Sequence, residues 1–270
     1  MNRMLLQYVY NMERILIIAD THCGSLGGLT HPYYQSKNKN QDQKRAWNFF
    51  INGIKKYEPF THIICNGDLI DGKGIKNSKD QLTTDRELQV EMFCKILQEI
   101  TTINKHPLKY YFTRGTPSHT SQDGEDWENL IAKQFPNPDG EVNIDNSYLI
   151  EIGGKVFHLK HKVGRSNVPW GKPSPLIRSA TLKLLEEVWT DQIKADIFIR
   201  SHVHYYTYIK LHGLTMITSP CLQYWSSYGQ KECEGTIDFG FLVCEINNKN
   251  VNWIEYITPQ PVVKERILKG

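Results

Sequence analysis

Short apolar segments alternate with amphipathic segments through the first half of this sequence, and that alternation limits the folds open to the chain. Apolar runs rich in β-branched or aromatic residues predict strands at 14–19, 61–66 and 109–113. Apolar residues that recur every three or four positions predict helices at 43–57, 85–103 and 124–135. Strands separated by helices are typical of a mainly parallel sheet that is covered by helices.

The pattern changes after residue 140, where strands follow one another directly. Strands are predicted at 148–152 and 156–160, joined at Gly153 and Gly154, which is a hairpin signal. Further strands are predicted at 195–200, 206–211, 214–218, 239–246 and 251–257, with one long helix at 175–194. Two stacked mixed sheets with helices outside would account for both halves. We therefore expect an α/β fold, a four-layer α/β/β/α sandwich, and we interpret the polar segment 24–43 as a surface loop or lid.

Composition places the chain among ordinary globular proteins. Its 270 residues are 40% apolar and 23% charged, with a net charge of only +3, so polyanion binding over the whole surface is not expected. No repeat and no long linker divides it, which predicts one domain over 1–270. The six cysteines form no C-x-x-C pair and are expected to be reduced and buried. We find no apolar run long enough for a membrane span and no clear leader, so we expect a cytoplasmic protein.

Acidic and imidazole side chains follow the predicted strands at the points where they end. The first strand runs into Asp20 and His22, and the second is followed by Asp68 and Asp71. Residues two apart in a strand share a face, so Asp20 and His22 can converge. The carboxyl ends of neighbouring parallel strands are where open α/β sheets place ligand groups.

Three later strand ends carry histidines in the same way. The third strand leads into Arg114 and His119, and two others end at His161 and at the pair His202 and His204. Any one of these residues could cap a turn or be a buried, satisfied imidazole. Together they form a mixed oxygen and nitrogen donor set, which suits Mn, Fe, Zn or Ni. The ordered set therefore predicts a metal site.

This ordered set resembles the calcineurin-like metallophosphoesterase superfamily. Its D-x-H, G-D-x-x-D, H and H-x-H motifs match Asp20 to His22, Gly67 to Asp71, His161, and His202 to His204, over roughly residues 14–210. The variant looks similar to members found in phage and prophage genomes. The resemblance implies stacked sheets flanked by helices. Two departures stand out. Where the family has G-N-H, this chain runs from Gly115 to His119, so the Asn ligand is missing and the His comes two residues late. Ser201 takes the place of a Gly.

The resemblance implies a centre of two divalent metal ions, with Mn the first expectation and Fe, Zn, Ni or Mg as alternatives. One ion would be held by Asp20, His22 and His204. His161 and His202 would hold the other, and Asp68 would bridge the two. Thr116 is the candidate replacement for the missing Asn ligand, through its oxygen or through a water.

The resemblance also implies hydrolysis of phosphate esters by in-line attack of a hydroxide that bridges the two metals. His119 would act as the general acid near the leaving group, and Asp71 would orient it. Arg114 is a candidate to bind a phosphate oxygen through its planar guanidinium.

The segment 163–175 bears on the substrate, because it follows His161 and contains Arg165, Trp170 and Lys172. Such a loop can stack on a base and pair with phosphates, although it more often packs onto the domain. The expected substrate is thus a phosphate ester, with a phosphodiesterase or nuclease acting on nucleotides or nucleic acid favoured. The alternatives are a phosphomonoesterase of proteins or small molecules, and a non-catalytic interaction protein with a degenerate metal site. The oligomeric state is left open.

Overall fold

Two mixed β-sheets form the centre of the molecule. The structure is a computed structural model that describes residues 12–37, 40–73, 80–121, 124–166, 168–225 and 237–259. The strands are β1 (Met12–Ile18), β2 (His62–Asn66), β3 (Lys109–Thr113), β4 (Ile144–Asp145), β5 (Ser147–Ile152), β6 (Lys155–Lys160), β7 (Ile197–Arg200), β8 (Thr207–Leu211), β9 (Leu214–Thr218), β10 (Asp238–Asn247) and β11 (Asn250–Pro259). The helices are α1 (Asn40–Tyr57), α2 (Arg86–Asn104), α3 (Pro117–Thr120), α4 (Trp127–Ala132) and α5 (Ser174–Trp189).

Each sheet combines parallel and antiparallel neighbours. The first has the order β11-β10-β1-β2-β3-β4, and its strands β1 to β4 run parallel. The second has the order β5-β6-β7-β9-β8, with β6, β7 and β9 parallel. The parallel strands of each sheet therefore bring their carboxyl ends to one edge.

Alternation along the strands divides the core into layers. Ile15 and Ile17 of β1 pack between the two sheets, against residues such as Leu159 of β6 and Ile199 of β7. Leu16, next to them, faces the opposite way into the core beneath α1 and α2. A smaller core lies between α5 and the outer face of the second sheet. The layers are thus helix, sheet, sheet and helix, which confirms the predicted fold class.

The interpretation of 24–43 as a surface loop is wrong for its first part. Ser25, Leu29 and Thr30 are buried. Polar backbone can be buried here because its groups are paired: Ser25 N–H donates to His22 O and Leu29 N–H donates to Thr21 O. The second part of the segment includes the start of α1.

Other differences concern the lengths of elements. The helix predicted at 124–135 is reduced to α4, and the one at 175–194 ends at Trp189. The strand β4 and the short helix α3 were not predicted, since two and four residues are too few to show a period.

Five cysteines are free and buried, and Cys233 lies outside the described residues. Within the described ranges, none of the helices has the length and apolar character that a membrane crossing requires.

Candidate metal centre

The loops that follow β1 and β2 are joined by backbone hydrogen bonds that continue the pairing of the two strands. Asp20 N–H donates to Gly67 O at 3.0 Å, and His22 N–H donates to Asp68 O at 3.1 Å. The second loop closes back on the first, where Asp71 N–H donates to Cys23 O. Parallel pairing therefore places the acidic residues of both loops at one edge of the sheet, as the sequence predicts.

Asp20, His22 and His204 form the first ligand group, and all three are buried. Asp20 Oδ1 lies 3.3 Å from His204 Nε2 and 3.9 Å from His22 Nε2. The two imidazole Nε2 atoms are 3.3 Å apart. One carboxylate oxygen and two ring nitrogens thus converge on one point.

Asp68, His161 and His202 form the second group beside the first. His161 Nε2 is 2.9 Å from Asp68 Oδ2, and His202 Nδ1 is 3.8 Å from the same oxygen. His161 Nε2 also lies 3.9 Å from Asp20 Oδ1, so the two groups adjoin. The structure thus brings the six side chains together in the two sets that the resemblance implies. That these sets hold metal ions stays a prediction, and so does the bridging of two ions by Asp68.

Hydrogen bonds fix the tautomers of two imidazoles so that a lone pair faces the centre. His161 Nδ1–H donates to the Asn66 carbonyl at 2.6 Å, and His22 Nδ1–H donates to Asp71 Oδ1 at 3.2 Å. A neutral ring held in this way has an unprotonated Nε2. A histidine whose other nitrogen donates to a carboxylate or a carbonyl is the usual form of a metal ligand.

A divalent cation fits this donor set. When the His161 ring is neutral, Asp20 Oδ1 and His161 Nε2 are buried acceptors that receive no hydrogen bond from any residue of the described ranges. Buried polar atoms are normally satisfied, because leaving one unpaired costs about 1–3 kcal/mol. An ion between carboxylate oxygens and imidazole nitrogens would satisfy both, and the oxygen and nitrogen donors suit Mn, Fe, Zn or Ni.

The pKa values of Asp68 and His161 are shifted because carboxylates and imidazoles lie close together in this buried site. Burial opposes ionisation of Asp68, but the electrostatic effect of the neighbouring imidazoles of His161 and His119 outweighs burial and holds the pKa of Asp68 well below the usual value. Burial likewise opposes protonation of His161, yet the carboxylates of Asp68 and Asp20 raise its pKa to about 9. Without an ion, a proton on His161 performs the neutralisation that a cation would provide.

Thr116, in the place of the expected Asn, is bound to Asp68. Its N–H donates to Asp68 Oδ1 at 2.6 Å, and its hydroxyl lies 3.0 and 3.1 Å from the two carboxylate oxygens. The loop approaches this closely because residue 115 is glycine: a Cβ there would lie 2.2 Å from Asp68 Oδ1. Thr116 is thus at the site, and its role as a ligand stays a prediction.

The prediction that the Asp71 carboxylate orients His119 is wrong. Asp71 Oδ1 accepts from His22 Nδ1, and Asp71 Oδ2 accepts from Gln81 Nε2 at 3.1 Å. His119 Nδ1–H donates instead to the main-chain carbonyl of Asp71 at 2.8 Å. The ring of His119 packs edge-on against His22, with centroids 4.6 Å apart. Asp71 therefore supports both histidines, but the carboxylate serves His22.

The prediction that Arg114 binds a phosphate oxygen is not supported by its contacts. Its Nε donates to Asp126 Oδ2 at 2.6 Å, and its Nη1 lies 3.8 Å from Asp145 Oδ1. Two carboxylates that the sequence pattern did not connect with Arg114 thus hold its guanidinium, and its structural role is to join the β3 end to the start of α4.

Glu128 holds two loops of the candidate centre in place, and no sequence pattern predicts this role. It is buried on α4, where it accepts the Leu69 N–H at 2.9 Å and the Gly115 N–H at 2.6 Å. Burial and the nearby Asp68 raise its pKa to about 7. Glu128 thereby ties together the loops that present Asp68 and Thr116. A single Glu in a short helix offers no pattern from which this could be predicted.

Asn66 and Ser201 join the two sheets beside the ligands. Asn66 Nδ2 donates to Ser201 Oγ at 2.6 Å, and the Asn66 side-chain oxygen accepts from Thr113 Oγ1 at 2.7 Å. Ser201 Oγ is in turn 2.7 Å from Ser219 Oγ. Ser201 is therefore part of a buried polar network.

Comparison with known proteins gives matches among solved structures only. No family model matches the chain, and no curated protein matches it. Vps29 complexed with Zn²⁺ from Entamoeba histolytica is 14% identical, with a TM-score of 0.45, over 90% of this chain and 99% of that one. An archaeal phosphodiesterase is also 14% identical, with a TM-score of 0.44, over 90% and 99%. A predicted phosphoesterase from Streptococcus pneumoniae is 11% identical, with a TM-score of 0.38, over 92% and 94%. At this level of similarity the matches say nothing about what this chain binds or hydrolyses.

Replacing Asp71 tests the support of His22. Asp71→Asn keeps the shape of the side chain and the carbonyl that holds His119, but it removes the negative charge that fixes His22 Nδ1–H. We expect the affinity of chelator-treated protein for Mn²⁺ to fall by about 10- to 100-fold, measured by calorimetric titration. Asp191→Asn, an exposed site after α5, is the matched control and should leave the affinity unchanged. Equal affinity in Asp71→Asn would show that His22 binds without the carboxylate.

The pH dependence of stability tests the charge balance at His161. In the folded protein the pKa of His161 is about 9, above the ordinary 6.5. The contribution of His161 to stability is therefore fully present below pH 6.5 and is lost as the pH rises through the pKa of the folded state. We expect the free energy of unfolding of metal-free protein to fall by about 2 kcal/mol between about pH 6.5 and 8.5. His204, whose pKa is also raised, acts in the same direction.

Denaturant unfolding at several pH values across this range measures the slope of the unfolding free energy against pH. The range ends below about pH 8.5, the ordinary thiol pKa, so that the buried cysteines do not contribute. His161→Asn should reduce the slope, and saturating Mn²⁺ should remove most of it, since an ion then replaces the proton. A slope that is the same in His161→Asn and in the parent protein would assign the effect to another group.

Proposed function

We propose that this chain, which has the stacked mixed sheets and flanking helices of the calcineurin-like phosphoesterase fold, is a metal-dependent hydrolase of phosphate esters. The observation that supports this most is the pair of adjoining carboxylate and imidazole groups with unsatisfied buried donor atoms at one sheet edge. Asp20, His22 and His204 would hold one ion, and Asp68, His161 and His202 the other. The ions, when bound, supply Lewis acidity towards phosphoryl oxygens and a water of lowered pKa.

His119 is the residue of this chain best placed to move a proton. Its Nδ1–H is held by the Asp71 carbonyl at 2.8 Å, so Nε2 is the atom that can hold a proton and donate it. The ring is half-buried beside His22, next to the ligand groups but in neither of the two predicted ion sites. We assign Nε2–H the donation of a proton to the leaving-group oxygen.

The loop after His161 supports a nucleotide or nucleic acid substrate. Val163 packs with Val203 and Tyr205, next to the ligands His202 and His204. Farther along, Lys172 O accepts from the Tyr205 hydroxyl at 3.4 Å, and Lys172 Nζ lies 4.8 Å from the centre of the Tyr205 ring. The loop is thus anchored beside the candidate centre.

Trp170 lies between those anchors and is 83% exposed. The alternative that it packs onto the domain is therefore wrong. An exposed indole beside a phosphoesterase centre could stack on a base, and Lys172 is the nearby cation. On this basis we favour a phosphodiesterase or nuclease over a phosphomonoesterase.

Ester hydrolysis with and without Mn²⁺ tests the proposal. We expect turnover of bis-p-nitrophenyl phosphate that requires added metal, is faster than turnover of p-nitrophenyl phosphate, and falls by at least about 100-fold in Asp68→Asn. Asp139→Asn, at an exposed turn, should retain full activity. Metal binding without turnover of either ester, and no effect of Asp68→Asn, would favour the non-catalytic interaction protein. Faster cleavage of the monoester would favour a phosphomonoesterase.

The role of His119 is tested by the basicity of the leaving group. His119→Gln should lower kcat by about 100-fold or more for a dinucleotide, whose alkoxide leaving group needs a proton. The same variant should lose much less on the p-nitrophenyl ester of thymidine 5′-monophosphate, because nitrophenolate leaves without a proton. His106→Gln, at an exposed position after α2, is the control. Equal losses on both esters would show that His119 positions the substrate and is not the acid.

A further inference from the structure

A second polar cavity lies on the outer face of the second sheet, where α5 covers it. It has a volume of about 650 Å³, and its polar lining comes from β5, β6, β7 and α5. Phe157 and Leu159 of β6 face the core between the sheets, so His158 and Lys160 face outwards. None of the ligands of the candidate metal centre lines this cavity. The cavity is therefore a separate feature of the fold.

Arg200, the last residue of β7, is the buried charge in this cavity and is only 1% exposed. Its Nε donates to Ser179 Oγ, its Nη1 to the carbonyls of His158 and Ile199, and its Nη2 to His158 Nδ1. A guanidinium has five N–H donors, so one N–H on Nη2 has no acceptor among the described residues. Burial lowers the pKa of Arg200 to about 9, and Glu187 opposes that shift without a hydrogen bond to Arg200.

Two hydroxyl groups beside Arg200 are also oriented as donors. His158 Nδ1 accepts from Arg200, so the His158 proton is on Nε2, which donates to Ser147 Oγ at 2.8 Å. Ser179 Oγ likewise accepts from Arg200 Nε at 3.0 Å. Each serine has then used its oxygen as an acceptor, and its hydroxyl hydrogen is left to donate. Within the described part of the chain, neither hydroxyl has another acceptor.

Two lysines add positive charge to the same cavity. Lys160 at the end of β6 is exposed, and Lys183 of α5 lies on the opposite wall. Lys183 Nζ is 3.2 Å from Glu186 Oε1 and 3.3 Å from Gln192 Oε1. The Glu186 side chain is 56% exposed, so this pair is weak and leaves Lys183 able to turn to another anion.

We propose that this cavity binds the phosphate group of a small phosphorylated molecule. The free N–H of Arg200 and the hydroxyls of Ser147 and Ser179 supply three donors, which suits the several oxygens of a phosphate better than the two of a carboxylate. The two lysines match its double charge. Tyr148, Leu149 and Leu182 line the rest of the cavity, whose volume accommodates an organic body such as a nucleoside. This inference does not depend on the proposed function.

Binding of adenosine 5′-monophosphate to chelator-treated protein tests the proposal, with calorimetry as the readout. Removing metal keeps the phosphate from the candidate metal centre. We expect saturable one-site binding that inorganic phosphate displaces, that adenosine does not reproduce, and that persists in Asp68→Asn. Lys183→Met and Ser147→Ala should each weaken binding by about tenfold. Lys194→Met, an exposed lysine that does not line the cavity, is the matched control.

Substitutions of Arg200 need a parallel measurement of thermal stability, because loss of a buried guanidinium can unfold the second sheet around the end of β7. The test does not depend on substitutions of Arg200, because Lys183→Met and Ser147→Ala change residues on the cavity walls. No binding to metal-free protein would overturn the proposal. Unchanged affinity in both Lys183→Met and Ser147→Ala would place the ligand elsewhere and overturn it too, as would adenosine binding as tightly as its monophosphate.

Discussion

Burial of two carboxylates among imidazole nitrogens is the constraint on which the rest of this structure depends. Asp20 and Asp68 have almost no exposed surface, and their carboxylates face imidazole nitrogens, the His202 N–H and, at Asp68, the N–H and hydroxyl of Thr116. Isolated buried charges are too costly to retain, so such an arrangement persists only with compensating positive charge. A proton on His161 supplies part of that charge in the metal-free chain. Divalent cations would supply all of it. The arrangement of the donor atoms and the proposed metal-dependent hydrolysis therefore both require bound cations.

The backbone is shaped to hold those groups in place. Asp20, His22, Asp68, His202 and His204 all have positive φ, and they are five of the ten non-glycine residues that do so in the described ranges. Such a conformation costs about 1–3 kcal/mol for each residue and persists only where the surroundings enforce it. For Asp20, His22 and Asp68 the enforcement comes from the backbone bonds between the loops after β1 and β2, and from Glu128 next to them. The loop after β7 is held by the bond from His202 N–H to Asp20 Oδ2 and by the bond from Asp238 N–H to the His204 carbonyl. Strain and charge therefore collect at the same sheet edge.

The sequence could predict the sheets, the layers and the six side chains that converge, because strand ends are local and their order along the chain is visible. It could not predict which partner each polar group would choose. The Asp71 carboxylate accepts a hydrogen bond from His22, and Arg114 pairs with Asp126. Both pairings depend on loop geometry, which the sequence does not show. Glu128 acts through two backbone N–H groups, which leave no pattern in the sequence. The buried part of 24–43 was missed because its polar residues are paired with backbone.

The same two strands supply groups to both polar regions of the molecule. In β6, His158 turns to the outer cavity, whereas His161, just past the strand end, turns to the candidate metal centre. In β7, Arg200 faces outwards and His202 follows it at the centre. Alternation places His158 on the outer face of β6. Arg200 and His202 are two residues apart, and the positive φ of His202, just past the end of β7, ends the alternation there. The outer face is thus rich in cations, and the inner edge is rich in carboxylates. The two regions need counter-charges of opposite sign, so an anion at the cavity and cations at the edge do not compete for one set of residues.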